Sequence, residues 1–179
     1  MSTNPRADSE SVEQIGLLLP ESTLHGARAA YVQDFVHRDP ARMPGTFDGW
    51  VCEAVAALAH MPAQERAALL DDLGPLPVET ILVEEIDEQT GQAHQGSRRA
   101  KRKGGKIRMP TSTAAAMDAA RRDDAATGHL LGRSPFIGQV MRAATERVRA
   151  EHAARTGQHD LPPVTGRLPR RSRYDTPAS

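Results

Sequence analysis

The chain has 179 residues, of which 39% are hydrophobic and only 3% aromatic, so one large aromatic core is excluded and small helical units that complete each other are expected. Cys52 is the sole cysteine, which rules out an intrachain disulfide or a cysteine-based metal site. No apolar run reaches about 18 residues, and Met1–Glu13 lacks an apolar signal core, so no membrane association is expected. The location expected is cytoplasmic, nucleoid- or plasmid-associated. The equal totals of 23 basic and 23 acidic residues hide an imbalance. Residues 1–92 hold 5 Lys and Arg against 16 Asp and Glu, whereas residues 93–179 hold 18 against 7. Such polarity fits a basic half that meets a polyanion, or two halves that attract each other.

Residues 1–13 form a polar leader. Ile15–Leu19 is a short apolar strand stopped by Pro20. Leu24, Ala27, Tyr31 and Phe35 recur at helical steps behind Ser22, a candidate N-cap. His37–Gly45 is a loop with two prolines. Helices follow over Asp48–His60, with Trp50, Val51, Ala54 and Leu58 on one side, and over Ala63–Asp72, entered at Pro62 and stopped by Gly74–Pro77. Residues 14–75 thus make an acidic half. Residues 76–104 are a linker with a possible strand at Val78–Ile86, a turn at Gln89–Gly91, and a flexible basic arm of Arg98, Arg99, Lys101, Arg102 and Lys103.

The basic half spans residues 105–155. In Lys106–Pro110 the apolar Ile107 and Met109 alternate with Lys106 and Arg108, which predicts a strand with one cationic face. Thr111 or Ser112 caps a helix reaching Ala126, Thr127–Gly132 turns, and Ser134-Pro135 opens a second helix toward Ala154. That helix carries Ile137, Val140, Met141, Ala144 and Val148 on one face. The tail, residues 156–179, holds the cluster Arg170-Arg171-Ser172-Arg173 and is expected to be disordered.

The order of alternating strand, proline, helix, glycine-containing turn and amphipathic helix over Lys106–Arg149 resembles the ribbon-helix-helix family of the MetJ and Arc repressors. The turn Thr127–Gly132 is longer than that family's. The resemblance implies a mainly α fold with a short β-ribbon built from two such halves. It also implies that the ribbon enters the major groove of double-stranded DNA, with Lys106 and Arg108 turned to the bases. Arg133 and Ser134, at the start of the second helix, would then meet a phosphate.

A fainter copy lies upstream. Leu17-Leu18-Leu19-Pro20-Glu21-Ser22-Thr23 aligns with Ile107-Arg108-Met109-Pro110-Thr111-Ser112-Thr113, and Gly45–Trp50 aligns with Gly132–Ile137. The chain would then build an intrachain pseudo-dimer, Ile15–Leu19 pairing with Lys106–Met109. Pairing of the basic halves of two chains is the other arrangement. Gly16 and Leu18 stand where the second half has Lys106 and Arg108, so the basic half would make most DNA contacts.

Nothing in the sequence predicts catalysis, a cofactor or a metal. Gly104-Gly105-Lys106 lacks the rest of a phosphate loop, and no HExxH or Cys/His set occurs. The acidic run Glu84, Glu85, Asp87 and Glu88 is read as a solvated strand end. The function expected is sequence-specific DNA binding, of repressor or plasmid partition and transfer type. The alternative is the antitoxin of a toxin–antitoxin pair, with Gly157–Ser179 or the acidic half folding on the toxin. A partition ATPase is another possible partner. An RNA-binding or scaffolding role for the basic arm ranks lower, because RNA loops are usually read by aromatic stacking.

Overall fold

Two strands far apart along the chain, one near the start of the described residues and one past their middle, meet in an antiparallel ribbon. In the computed structural model, residues 10–86 and 93–171 are described, those between 80 and 99 by backbone alone. Strand β1 (Val12–Leu19) pairs with β4 (Lys103–Pro110), so that Ile15 faces Ile107 and Gly16 faces Lys106. Side chains alternate across such a ribbon. Ile15, Leu17, Leu19, Ile107 and Met109 turn inward and are buried. Gln14, Leu18, Lys106 and Arg108 are exposed.

Five helices cover the inner face: α1 (Glu21–His37), α2 (Phe47–His60), α3 (Ala63–Leu73), α4 (Thr111–Ala125) and α5 (Arg133–Thr156). The first helix of each half packs on the second helix of the other, α1 on α5 and α4 on α2. One continuous apolar cluster therefore draws on both halves, from Leu24, Tyr31, Trp50 and Val55 to Met117, Phe136, Ile137 and Met141. Neither half can bury its apolar side chains alone, which is why the low aromatic content suffices. Contact is closest at Gly138, where a Cβ would lie 2.7 Å from Leu19 Cδ2 and 3.0 Å from Leu76 Cδ1. Because one chain completes its own ribbon, light scattering on the purified protein should return the mass of a single chain. A dimer that persists after removal of residues 1–92 would show instead that basic halves pair between chains.

The helix starts differ from those expected. Neither Ser22 nor Thr111 or Ser112 caps its own helix; Pro20 and Pro110 occupy the N-cap positions, and no side-chain cap bond forms there. The open first-turn amides are taken by remote carboxylates instead. Glu79 accepts from the amides of Glu21 (3.0 Å) and Ser22 (2.6 Å), and Glu10 accepts from that of Ser112 (3.2 Å). A carboxylate offers more acceptor capacity and a full charge to the positive helix end, so it outcompetes a local hydroxyl. Helix α5 starts one residue before Ser134, with Gly132 as its cap. Pro135 therefore sits within the first turn rather than at its first position, where its missing N–H still costs nothing.

Two buried carboxylates each take an arginine from the other half. On α4, Asp124 receives Arg66 Nε at 2.8 Å, and the side chains are 2% and 3% exposed. On α1, Asp34 accepts from Trp50 Nε1 at 2.7 Å and from the Arg147 guanidinium. Arg66 also donates to the carbonyls of Ala59 (3.2 Å) and Ala120 (3.3 Å), and to that of Met61. These bonds tie α3, the turn before it and α4 together.

The region expected as linker holds a hairpin. Strand β2 (Thr80–Ile86) pairs with β3 (Ala93–Arg99), and β4 begins at Lys103. Most of the basic arm is thus strand rather than flexible coil, because each end is hydrogen-bonded to a partner strand. The turn expected at Gln89–Gly91 and the acidic residues Asp87 and Glu88 lie outside the described residues. The tail expected to be disordered is packed as far as Arg171. Leu161 and Leu168 lie against the core, Tyr31 Oη donates to the Pro169 carbonyl at 2.8 Å, and Arg171 N donates to the Gly45 carbonyl at 3.1 Å. The Arg171 guanidinium also stands 5.1 Å over the Phe35 ring. Low regular structure does not prevent packing when a few apolar and aromatic-facing groups anchor the segment. Among the described residues no helix is long and apolar enough to cross a membrane.

Candidate nucleic-acid interface

The outer face of the ribbon carries Val12, Gln14, Gly16 and Leu18 from β1, and Gly104, Lys106 and Arg108 from β4. It holds two cations and no carboxylate. The register sets Gln14 beside Arg108, Gly16 beside Lys106 and Leu18 beside Gly104. One end therefore presents an amide and a guanidinium, both able to form paired hydrogen bonds with base edges. The other end presents an apolar Leu18, 52% exposed, over glycine backbone.

The ribbon glycines have no evident role in the fold. A Cβ built on Gly16, Gly104 or Gly105 meets nothing within 4 Å, and none of the three has a positive φ. Glycine weakens a strand, so unforced glycines in the ribbon, Gly16 and Gly104 among them on its outer face, point to close approach by something outside the chain.

The predicted site residues fall into four groups. Lys106 and Arg108 share the outer face. Lys101 and Arg102 are exposed in the connection before β4, while Lys103, in β4, pairs with Glu21 at 2.8 Å and holds that carboxyl below its usual range. Arg98 and Arg99 are the backbone partners of Ile81 and Thr80 in the hairpin. Arg133 and Ser134 stand at the start of α5 but are engaged within the chain. Ser134 Oγ accepts from Leu18 N at 2.8 Å, which fixes α5 to the ribbon. Asp48 Oδ2 does the same for Arg108 N at 3.2 Å, from the start of α2. Arg133 is held by Asp118, with Nε to Oδ1 at 3.0 Å, and by Glu13, with Nη1 to Oε1 at 2.5 Å.

The arginines Arg133 and Arg121 hold the Asp118 carboxyl below the usual range. A carboxylate whose pKa is lowered on folding stabilises the folded state fully above its unfolded value, and that contribution is lost as pH falls through the lowered one. Acid should therefore weaken the α4–α5 junction below about pH 4, the ordinary carboxylate range. Asp118→Asn should flatten this part of the stability profile, measured by denaturant midpoints between pH 3 and pH 7. An unchanged profile would remove Asp118 as its source.

Gln14 was not foreseen as a site residue. The signal was present, since the alternation continues outward from Ile15 to Gln14, but the strand was read as starting at its first apolar residue. Cys52 lies on α2 under the ribbon, where its thiol donates to the Arg108 carbonyl at 3.4 Å. Burial, and next the Asp48 charge, push it up to about 11, so it is a packed thiol rather than a nucleophile. Among the described residues no group of three or more His, Cys, Asp or Glu could hold a metal ion. Comparison with models of protein families, with curated proteins and with solved structures gives no significant match.

Proposed function

We propose that this chain is a sequence-specific double-stranded DNA-binding protein that reads the major groove with its β1–β4 ribbon. The observation that carries this reading is the outer face itself: two cations, one amide, no carboxylate, and glycines that the fold does not require. A two-stranded ribbon fits the major groove, where arginine and lysine donate to guanine O6 and N7 and glutamine pairs with adenine N6 and N7. Lys106 and Arg108 are the main readers, with Gln14 beside Arg108. Lys101 and Arg102 add sequence-independent attraction from the connection next to the ribbon.

A ribbon-helix-helix origin by internal duplication accounts for the architecture. The positions aligned in the two copies, Gly16 and Lys106, are partners in the ribbon, as a pseudo-twofold axis through that pair requires. Buried Leu24, Ala27, Ala30 and Asp34 on α1 match buried Ala114, Met117, Ala120 and Asp124 on α4. On the second helices, buried Trp50, Val51, Cys52, Val55 and Leu58 match Phe136, Ile137, Gly138, Met141 and Ala144. This sets Trp50 against Phe136, one residue earlier than the alignment with Ile137 drawn from sequence. It also sets Asp48 against Ser134, the two residues that hold the ribbon backbone.

Titration of a labelled duplex against the full chain at several salt concentrations tests the proposal. Affinity should fall steeply with salt, and unlabelled duplex should compete far better than single-stranded RNA. Equal competition by the RNA would overturn groove reading.

A further inference from the structure

At the Pro110 end of the ribbon, a cleft of about 690 Å³ opens between β4, the start of α2 and the C-terminal segment. Val12, Asp48, Cys52, Arg108, Pro169 and Arg170 are among the residues that line it. Arg108 and Arg170 both line this cleft, and neither has a carboxylate partner among the described residues. Among the described residues Asp48 is the one carboxylate in the lining, and its Oδ2 accepts from the ribbon amide of Arg108. Asp48 keeps its charge while accepting from that neutral amide, so the lining sets two cations against one carboxylate and keeps a net positive charge that favours an anion.

Arg170 is placed by anchors on both sides. Before it, Pro169 O accepts from Tyr31 Oη at 2.8 Å; after it, Arg171 N donates to Gly45 O at 3.1 Å, and the Arg171 side chain lies over Phe35. The backbone is thus fixed from residue 169 to residue 171, while the Arg170 side chain remains exposed at the cleft. Arg133, at the start of α5, is by contrast already neutralised by Asp118 and Glu13. The start of α2 supplies no cation of its own, only Asp48.

We propose that Arg170 binds a backbone phosphate of duplex DNA next to the base that Arg108 reads, so that the C-terminal segment is part of the DNA interface. This rests on the ribbon being a DNA reader. A guanidinium is suited to the role because its fork of N–H donors matches phosphate oxygens. The division of labour follows from chemistry: Arg108 carries sequence information, and Arg170 fixes position and adds affinity without it.

The test measures binding of the full chain, wild type and variants, to a mixed-sequence duplex of about 20 base pairs over a range of salt concentrations, a length that spans roughly two helical turns. One lost phosphate contact should reduce the slope of log K against log salt by about 0.9. Arg170→Ala should show that reduction, with affinity lowered about three- to tenfold at 0.1 M salt on every sequence. Arg170→Lys should restore the slope. The melting temperature of both variants should match wild type, since the side chain is exposed. Wild-type slope and affinity in Arg170→Ala would overturn the phosphate contact while leaving the ribbon reading intact, and so would a change in sequence preference. Failure of the wild-type chain to bind any duplex would overturn the ribbon reading itself, and the phosphate contact with it.

Discussion

Replacing Arg66 by alanine is expected to lower the unfolding free energy by about 3–5 kcal/mol, the cost of removing one partner from a buried ion pair. The expectation comes from what the arginine leaves behind. Asp124 would remain buried with its charge unpaired, and the second carboxylate oxygen, Oδ2, already lacks a partner. The carbonyls of Ala59, Met61 and Ala120 would also lose a donor. A loss of this size is a large share of the 5–15 kcal/mol typical of a whole domain. Asp124→Ala should cost a similar amount, and the double variant less than the two single losses together, because the charge pair disappears as a unit. Denaturant unfolding of the three variants reads this directly. A loss below about 1 kcal/mol in Arg66→Ala would place the pair among weak surface bridges, and the cross-linking of α3 to α4 would have to be found elsewhere.

Arg108→Ala should leave stability nearly unchanged and strike binding instead. Loss of a bidentate contact to a guanine is worth about 1–3 kcal/mol, roughly ten- to a hundredfold in affinity. The diagnostic effect is on sequence preference at one position, since a phosphate contact would weaken all duplexes equally. Gln14→Ala should relax the adjacent position, because the register sets Gln14 and Arg108 side by side. Measurement of both variants on the preferred duplex and on its single-base substitutions separates the two positions. Unaltered preference in Arg108→Ala would remove β4 from the reading surface.

Strands β1 and β4 were legible because apolar residues in each run up to a proline, Ile15, Leu17 and Leu19 before Pro20 and Ile107 and Met109 before Pro110. Local pattern left open whether they pair within one chain or between two. Helices α2 and α5 were legible from periodicity. What local pattern could not show was contact between distant residues. Glu79 and Glu10 cap helices roughly 60 and 100 positions away along the chain, a separation no capping rule reads. The Arg66–Asp124 and Arg147–Asp34 pairs are invisible until the helices are packed. Arg133 looked like a free cation in sequence, yet folding brings Asp118 and Glu13 to it. The segment after Gly157 was read as disordered because prolines and arginines dominate it; its anchors are single residues, Leu161, Leu168 and Arg171, each meeting a partner far upstream.

The two ends of the ribbon differ, with Gln14 and Arg108 at one and Leu18 and Gly104 at the other. A symmetric dimer reads a palindrome, whereas this surface should read a site with direction. Selection of bound fragments from a random duplex pool by the wild-type chain tests that claim most directly. The account predicts enrichment of one short, non-palindromic sequence, with a guanine and an adjacent adenine toward the Arg108 end. Recovery of no preferred sequence would contradict it.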